Sequence, residues 1–274
     1  MIDEKDLTAW QLEQSASDAY EEYLVPPILD PWAERLINSV RLGSDDRVLD
    51  VGCGTGIVAR RAIAELNADS TVVGLDRNER MLAKAEEEAG GSEPAIEWRQ
   101  GDAADLSFAD EQFDVVFCQQ ALQFFDQPET ALAEMRRVLA PDGRIACSIW
   151  RPIEYQPGYI VLAEALERHV GDEAGLMIRG IFPGWNTNSV RNLAREAGFD
   201  DVTLTIEIGD IRYPSISEFV RREAASSPLA EHIAGVAEDV REELIGEVTD
   251  KLIDYTDDEG IISPMETYVI KSYR

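Results

Sequence analysis

Apolar residues recur along the chain with two different spacings, and the contrast is clearest between residues 46 and 150. Short runs rich in β-branched residues, such as 48–51 and 71–75, stand between polar stretches in which apolar residues return every three or four positions. Such runs are typical of buried parallel strands, and such stretches are typical of amphipathic helices. Strands that alternate with helices predict a parallel sheet wound by right-handed crossovers. The predicted fold class is therefore α/β and Rossmann-like.

The same pattern sets the bounds of the predicted elements. In this region it predicts strands at 48–51, 71–76, 95–99, 113–118 and 144–150, with helices at 57–67, 78–89 and 128–139. Asp126 is expected to cap the last helix, with Glu129 three residues later, and a turn at 141–143 is expected before the fifth strand. Elsewhere the pattern predicts helices at 7–23 and 28–40 with a break at Pro26-Pro27, one helix near 159–170, a helix at 188–197, a strand at 202–208, a helical stretch at 215–256 and a final strand at 266–271.

The regular alternation stops at Trp150, and a stretch rich in proline and glycine follows it. This change predicts a core interrupted by insertions, because such a stretch does not continue the strand–helix repeat. The expected segments are an N-terminal helical cap at 1–44, the core at 45–150, a lid at 151–186, the core continued at 187–210, a helical insertion at 211–261 and a final core strand at 262–274.

The stretch between the first strand and the helix after it carries the clearest chemical signal. Gly52, Gly54 and Gly56 remove Cβ from three alternate positions, so the backbone can turn sharply and a ligand can lie against it. The helix that starts at Ile57 directs its free N–H groups toward that ligand. The arrangement predicts a site for a nucleotide-like cofactor. Dehydrogenases share it, but their spacing is Gly-x-Gly-x-x-Gly, whereas the spacing here is Gly-x-Gly-x-Gly.

Four separated segments together resemble the motifs of one enzyme family. They are 48–56, 73–76 followed by Met81-Leu82, 101–103 with 113–116, and 134–143. In this order and spacing they resemble the class I S-adenosylmethionine (SAM) dependent methyltransferases, most of all the branch of the ubiquinone and menaquinone C-methyltransferases (methyltransferase type 11). The resemblance implies a seven-stranded sheet whose last strand is antiparallel, SAM as the cofactor and S-adenosylhomocysteine as the product.

The resemblance also implies which residues contact SAM. The backbone of the glycine loop is expected to approach the methionyl part, with Asp50 ordering the loop and favouring the cationic end of the cofactor. Asp76 is expected to accept hydrogen bonds from both ribose hydroxyls, and Asp102 one from the adenine amino group. The full set of expected cofactor-binding residues is Asp50, Gly52, Cys53, Gly54, Gly56, Asp76, Arg77, Met81, Gly101, Asp102, Ala103 and Gln119.

Three of these residues also have an ordinary structural explanation. Asp76 is suited to cap the helix at 78–89, because aspartate is favoured at helix N-termini, and this role is compatible with binding ribose. Asp102 is suited to an Asx-turn. Met81 fits the apolar core as well as a place beside adenine.

No motif identifies a catalytic residue, which is consistent with the chemistry of methyl transfer. Transfer from a sulfonium is an in-line displacement that requires alignment and the exclusion of water, and a general base only where the acceptor arrives protonated. Candidates for contact with the acceptor or for the base are Tyr20, Tyr23, Gln120 and His169. The two tyrosines are equally well explained as buried aromatics of an amphipathic helix, and His169 as a histidine at a helix end or on the surface.

The balance of charge narrows the partners. The chain has 54 acidic and 25 basic residues, a net charge of −29, and lysine occurs only at 5, 84, 251 and 271. Such a field repels nucleic acid. Nucleic-acid and protein amide methyltransferases carry an Asp/Asn-Pro-Pro-aromatic segment after the fourth strand, whereas residues 119–122 here are Gln-Gln-Ala-Leu. A small-molecule acceptor is therefore expected, and the dispersed acidic charge with scarce lysine predicts a halophilic protein.

Further expectations concern compartment, metals and assembly. No apolar run approaches the roughly 18 residues of a membrane span, so the protein is expected to be soluble and cytoplasmic. Cys53, Cys118 and Cys147 are too few for a disulfide framework, and no residue spacing suggests a metal site. A homodimer is one of the assemblies left open.

Two alternative functions stand beside the methyltransferase. One is a SAM-binding sensor or scaffold without transfer activity, which only the conversion of SAM to S-adenosylhomocysteine distinguishes from an enzyme. The other is a nicotinamide-dependent oxidoreductase, which is favoured if NADH rather than SAM raises the melting temperature. Neither the acceptor nor the methylated atom, whether carbon, oxygen or nitrogen, follows from the sequence.

Overall fold

The structure of the chain is a computed structural model that describes residues 16–91, 95–226 and 229–274, so residues 7–15 of the predicted first helix lie outside it. The strands are β1 (Val48–Val51), β2 (Val72–Asp76), β3 (Ile96–Gln100), β4 (Phe113–Gln119), β5 (Leu139–Trp150), β6 (Thr203–Tyr213), β7 (Thr256–Asp257) and β8 (Gly260–Tyr273). The helices are α1 (Ala16–Tyr23), α2 (Asp30–Ser39), α3 (Ile57–Ile63), α4 (Glu79–Ala89), α5 (Pro128–Val138), α6 (Pro157–His169), α7 (Asp172–Gly180), α8 (Thr187–Glu196), α9 (Ile216–Ala225), α10 (Leu229–Ala234) and α11 (Glu238–Leu252). Across these described ranges, none of the helices combines the length and the apolar character that crossing a bilayer requires.

The strands form one sheet in the order β3-β2-β1-β4-β5-β8-β6, and the short β7 pairs with β8. β1 lies between β2 and β4 and is parallel to both, whereas β8 is antiparallel to β5. The predicted α/β fold with an antiparallel last strand is therefore confirmed. The direction of winding reverses between β1 and β4, so the carboxyl ends of these strands border the crevice in which doubly wound sheets bind their ligands.

Two apolar layers enclose the central strands, so β1 is buried on both faces. Val48 and Leu49 are each 0% exposed, and they belong to different layers. The layer of Leu49 includes Leu132 of α5, and the layer of Val48 includes Leu36 of α2 and Val58 of α3. Successive side chains of a strand point to opposite faces of a sheet, which accounts for this division. The loops that follow β1 and β4 therefore start from a tightly packed base.

The chain divides into two compact units. The sheet unit consists of residues 29–150, 185–207 and 267–274 and contains β1 to β5. The helical unit consists of 151–184, 208–266 and the described part of 1–28, and it contains α6, α7 and α9 to α11. The assignment of cap, lid and insertion segments stays a prediction.

A buried carboxylate lies at the centre of the helical unit. The hydroxyls of Tyr159 and Tyr213 both donate to Oε1 of Glu223, each at 2.8 Å. Phe219 packs edge-on against Tyr159 with 5.6 Å between ring centres. Glu223 is 4% exposed, and burial raises its pKa from 4.5 to about 7, although the two tyrosine hydrogen bonds act in the opposite direction. The cluster joins residues of α6, β6 and α9.

Two of the predicted helix boundaries are wrong. Pro26-Pro27 does not break the helical path, because a π-helical turn at Val25–Leu29 lies between α1 and α2. A widened turn leaves room for a proline ring, which in a regular α-helix clashes with the carbonyl four residues earlier. Asp126 does not cap α5: the N-cap position is Gln127, and no side chain accepts a capping hydrogen bond there. Proline at the first position supplies the helical φ angle without a cap.

Two more differences lie in and after β5. The predicted turn at 141–143 is a bulge inside the strand, since Phe113 pairs with Leu139 and Val115 pairs with Arg144. β5 therefore pairs with β4 both before and after the segment 141–143. The segment 151–186 contains two helices, α6 and α7, where the sequence predicts one.

Candidate functional site

The glycine loop lies between β1 and α3 at the carboxyl edge of the sheet. Gly52, Gly54 and Gly56 have φ angles of 70°, 55° and 84°, in the left-handed region that favours glycine. The N–H groups of Gly52 and Cys53 both donate to the carbonyl of Leu75, at 2.8 and 3.0 Å, which fastens the loop to β2. The loop is therefore a fixed turn whose shape depends on its glycines.

Packing within the protein accounts for two of the three glycines. A Cβ on Gly52 would lie 2.5 Å from Cβ of Ala121, and one on Gly56 would lie 2.3 Å from the ring of Trp98. Both distances are far below van der Waals contact. The sequence interpretation explained these glycines by the approach of a ligand; the close approach of the cofactor to Gly52 and Gly54 stays a prediction.

Asp50 lies on β1, two residues before Gly52, and is 1% exposed. Its Oδ2 accepts a hydrogen bond from the Ala59 N–H of α3 at 3.2 Å, and its Oδ1 has no hydrogen-bond partner among the residues that the structure describes. Burial, together with the nearby charge of Asp76, raises the pKa of Asp50 to about 7, against the lowering effect of the Ala59 hydrogen bond. A buried carboxyl group with one idle oxygen requires a cation or a proton.

Asp76 ends β2 and is half-buried on the other side of the loop. Its Oδ2 accepts from the Gly54 N–H at 2.9 Å, and its Oδ1 accepts from the Asn78 N–H at 2.8 Å. The N-cap of α4 is Asn78, whose side chain accepts from the Arg80 N–H, so capping does not explain Asp76. Each carboxylate oxygen keeps further acceptor capacity, which fits the predicted contact with ribose hydroxyls.

Gln119 ends β4 and Gln120 follows it, on the same edge of the sheet. Gln119 is 9% exposed; its Nε2 donates to the carbonyl of Leu29 at 2.8 Å, and its Oε1 has no partner within the described ranges. Gln120 is 6% exposed and has a φ of 49°, although it is not glycine. Its Nε2 donates to Oγ1 of Thr267 at 3.0 Å, and Thr267 donates its own proton to the carbonyl of Ile149 at 2.7 Å.

This chain of donors fixes the orientation of the Gln120 amide. Because the single proton of the Thr267 hydroxyl goes to a carbonyl, its oxygen must accept from an N–H, so the NH₂ end of Gln120 faces Thr267. The Oε1 end of Gln120 is buried and makes no hydrogen bond to any described residue. Such an oxygen is suited to a donor on a ligand.

The remaining predicted cofactor residues lie after β2 and β3. The Gly101 N–H donates to the carbonyl of Asp76 at 3.1 Å, which brings this turn beside the end of β2. Oδ1 of Asp102 accepts from the Ala104 N–H at 2.9 Å, so the Asx-turn is present, and Ala103 is buried. The side chain of Arg77 is 74% exposed. Their contacts with adenine and ribose, like that of the half-buried Met81, stay predictions.

The three other acceptor candidates belong to the helical unit. His169, in the last turn of α6, contacts Glu247 with 2.8 Å between Nε2 and Oε2. The guanidinium of Arg222 lies 5.6 Å from the ring of Tyr23, and burial raises the pKa of Tyr23. Tyr20 is half-buried on α1. These contacts fit the structural explanation of His169 and Tyr23; their role toward an acceptor stays a prediction.

Sequence reasoning missed two buried hydroxyls on this edge. Thr55 of the loop and Ser148 of β5 are each 1% exposed, and neither side-chain oxygen has a hydrogen-bond partner in the described part of the chain. Ser148 is paired in register with Gln119. A serine inside the apolar run of β5 is the signal that could have identified it. Over the described ranges, no group of three histidine, cysteine or acidic side chains is arranged to hold a metal.

Comparisons with known proteins agree with this geometry. A family model described as a methyltransferase domain matches residues 49–147. The nocamycin O-methyltransferase of Saccharothrix syringae is 32% identical over 203 residues, which are 69% of this chain and 72% of that protein. The demethylmenaquinone methyltransferase of Lactobacillus johnsonii is 31% identical over 116 residues, 42% of this chain and 48% of that protein. The chain thus spans about half the length of this quinone methyltransferase.

Solved structures with low identity share the fold. A putative methyltransferase from an antibiotic biosynthesis pathway of Anabaena variabilis has a TM-score of 0.63 at 17% identity, covering 88% of this chain and 96% of that one. A phosphoethanolamine N-methyltransferase of Haemonchus contortus, solved with S-adenosylhomocysteine, has a TM-score of 0.58 at 20% identity, covering 98% and 59%. A [4+2]-cyclase also shares the fold, with a TM-score of 0.54 at 21% identity, covering 89% and 81%.

The sheet order and the glycine loop after β1 are those of the class I SAM-dependent methyltransferase fold. Together with the matches, they show that the chain belongs to the SAM-dependent methyltransferases. Within that class it falls in the branch that includes the demethylmenaquinone methyltransferases, as the sequence motifs predicted.

Proposed function

We propose that this chain transfers the methyl group of SAM to a small hydroxylated molecule at the carboxyl ends of β1 and β4. The observation that carries the proposal is a group of buried oxygens with idle acceptor capacity at this edge, Oδ1 of Asp50 and Oε1 of Gln119 among them. Neither Asp50 nor Asp76 is ion-paired with a lysine or arginine of the described chain. Oxygens without a cation are complementary to a ligand that brings its own, and SAM carries an ammonium and a sulfonium.

Different residues of this edge would contact different parts of the cofactor. Asp50 and Gln119 would hold the amino-acid end, and Asp76 would accept the ribose hydroxyls. Gly101-Asp102-Ala103 would border adenine, beside the carbonyl of Asp76 to which the Gly101 N–H donates at 3.1 Å. Charge-assisted hydrogen bonds of this kind contribute about 1.5–3 kcal/mol each.

The reaction requires little more than positioning from the protein. When bound, SAM supplies an electrophilic methyl group on a positively charged sulfur. The residues around it need to hold the acceptor in line and exclude water, which can lower a barrier by about 7–11 kcal/mol. Asp50, Gln119 and Ser148 are each less than 10% exposed, so the edge that would hold the reacting groups is already largely removed from water.

The idle oxygen of Gln120 favours a methyl acceptor that carries a hydroxyl or N–H group. The backbone of Gln120 is in a left-handed conformation that costs a non-glycine residue about 1–3 kcal/mol, and its N–H donates to the carbonyl of Ser148 at 2.9 Å. Oε1 of Gln120 is buried without a hydrogen-bond partner among the described residues, and the next residue, Ala121, packs on the glycine loop. One relative is named an O-methyltransferase and another acts on a quinone, so hydroxylated aromatic compounds and quinols are the first acceptors to test.

The test combines binding and transfer. S-adenosylhomocysteine should raise the melting temperature of the full chain, and NADH should not. Radiolabel from [methyl-³H]SAM should then appear in a product when quinols, phenols and enols are offered singly. Stabilisation by NADH alone would favour an oxidoreductase. Binding of SAM without label transfer to any compound offered would favour the sensor or scaffold.

We also propose that the protein works in a salt-rich cytoplasm. A net charge of −29 with four lysines gives strong self-repulsion, which high ionic strength screens. The melting temperature should rise between 0.1 M and multimolar KCl, and a melting temperature that stayed constant or fell would contradict the proposal. A homodimer stays an untested prediction, which light scattering in the same salt would measure.

A further inference from the structure

Two carboxyl groups lie on either side of the glycine loop, and neither is ion-paired with a lysine or arginine of the described chain. Asp50 is on β1 and Asp76 ends β2, and these strands pair in register, with Asp50 opposite Gly74. Asp76 receives two backbone N–H groups, at 2.9 and 2.8 Å, and Asp50 receives one, at 3.2 Å. Asp50 is therefore the less well solvated carboxyl group of the pair, since it is 1% exposed and its Oδ1 has no partner in the described chain.

The groups that face Asp50 add no counter-charge. Asp76 faces it from β2, the thiol of Cys53 from the loop, and the thiol of Cys118 from β4, while α3 contributes only the Ala59 N–H. Burial raises the pKa of the Cys53 thiol. The pKa of the Cys118 thiol is also raised, mainly by a hydrogen bond with Cys147 and secondly by burial. Both thiols are therefore neutral. Ionisation of Asp50 without a ligand places a second negative charge in a dry site. A proton removes that cost.

We propose that Asp50 releases its proton to the solvent when the α-ammonium of SAM or S-adenosylhomocysteine enters the site. The inference rests on the proposed function and goes beyond it, because it makes cofactor affinity depend on pH. The balance is simple: a neutral carboxyl group and an ammonium become a carboxylate paired with the same ammonium, and one proton goes to the buffer. No covalent bond to the cofactor forms or breaks.

The size of the effect follows from the pKa of Asp50, about 7. At pH 6 about one-tenth of the free protein carries an ionised Asp50, and at pH 8 about nine-tenths does. Affinity falls in proportion to the competent fraction, so S-adenosylhomocysteine should bind about tenfold more weakly at pH 6 than at pH 8. Binding should release about 0.9 proton at pH 6 and about 0.1 at pH 8.

Calorimetry of the full chain measures the released proton directly. S-adenosylhomocysteine is titrated at pH 6 and pH 8 in two buffers that differ in ionisation enthalpy, and the difference in heat gives the number of protons. The matched probe is methylthioadenosine, which keeps the nucleoside and the sulfur but lacks the amino acid; it should release none. A bound S-adenosylhomocysteine that releases no proton at pH 6, or equal release with both probes, overturns the inference. Absence of binding by S-adenosylhomocysteine overturns the proposed function instead.

A variant pair identifies the group that titrates. Asp50→Asn should abolish the release and make the affinity independent of pH. Asp114→Asn is the matched control. Asp114 lies near the start of β4, away from the carboxyl edge of the sheet, and it pairs with Arg47 at 2.9 Å. On binding S-adenosylhomocysteine, this variant should release the same number of protons as the unchanged chain. Release that persists in a folded Asp50→Asn protein refutes the assignment. If Asp50→Asn does not fold, the comparison of the two probes still decides.

Discussion

The buried carboxyl group of Glu223 gives a test of what holds the helical unit together. Replacing Glu223 by glutamine keeps an oxygen that can accept from both Tyr159 and Tyr213, which lie at 2.8 Å. It removes the ability to ionise. The difference in stability between the two proteins therefore reports the cost of burying the charge.

The sign and the magnitude follow from the two pKa values. The pKa of Glu223 is 4.5 in the absence of structure and about 7 in the folded protein, because burial disfavours the charged form. The folded state thus binds the proton more tightly, so this contribution to stability is complete below pH 4.5 and is lost as the pH rises through 7. At 1.36 kcal/mol per pH unit the loss is about 3 kcal/mol. Glu223→Gln should be more stable than the unchanged chain by up to about 3 kcal/mol at pH 8, and by about 1 kcal/mol at pH 5.

Urea unfolding at pH 5, 6, 7 and 8, in constant salt, measures this difference. Titration of the many other carboxylates is common to both proteins and cancels in the comparison. Glu218→Gln is the control on the same helix, since Glu218 is ion-paired with Arg222 and partly exposed, and it should change the free energy of unfolding by less than about 1 kcal/mol. A difference between Glu223→Gln and the unchanged chain that stays constant from pH 5 to pH 8 would refute the reasoning.

Three further substitutions test the sheet unit. Asp76→Ala should raise the Kd of S-adenosylhomocysteine tenfold or more, because two charge-assisted hydrogen bonds to ribose are lost; an unchanged Kd removes the ribose assignment. Gly56→Ala should destabilise the fold by more than 1 kcal/mol, since its Cβ would lie 2.3 Å from the Trp98 ring at a φ of 84°; Trp98→Leu should recover part of the loss in thermal unfolding, and full additivity of the two changes would contradict the clash. Gln120→Leu should raise the KM of the acceptor identified in the transfer assay and leave the Kd of S-adenosylhomocysteine unchanged, whereas an effect on that Kd alone would place Gln120 at the cofactor.

Local pattern was sufficient for the parts of the fold that neighbouring residues determine. The run 48–51, the glycine loop and the helix after it form one continuous stretch, and each residue choice in it favours the same structure. The motifs after β2 and β3 are local in the same sense. The edge at which the loops after β1, β2 and β4 meet was therefore predictable, because parallel strands bring their carboxyl ends to one side without any further information.

Contacts between distant residues were not predictable in this way. Glu223 looks like an ordinary exposed residue of an amphipathic helix, and its partner Tyr159 is 64 positions away. Gln120 finds Thr267 across 147 positions. Gly175 lies in the proline- and glycine-rich stretch that predicted a lid, yet it is part of α7, and a Cβ there would lie 2.7 Å from the carbonyl of Ala163, so this glycine lets α7 pack closely on α6. Only this tertiary contact shows that the glycine permits helix packing and does not interrupt a helix.

The position of β8 in the sheet has a consequence for how the chain folds. Thr267 of β8 donates to Ile149 of β5, 118 positions earlier, and β8 lies between β5 and β6. During synthesis β5 therefore emerges with one edge unpaired, and β6 emerges before the strand that must separate it from β5 exists. Closing so long a loop is entropically costly and slow, and an open hydrophobic edge is where chains associate wrongly. We expect the nascent chain to depend on protection of the β5 edge until residue 273 has been made.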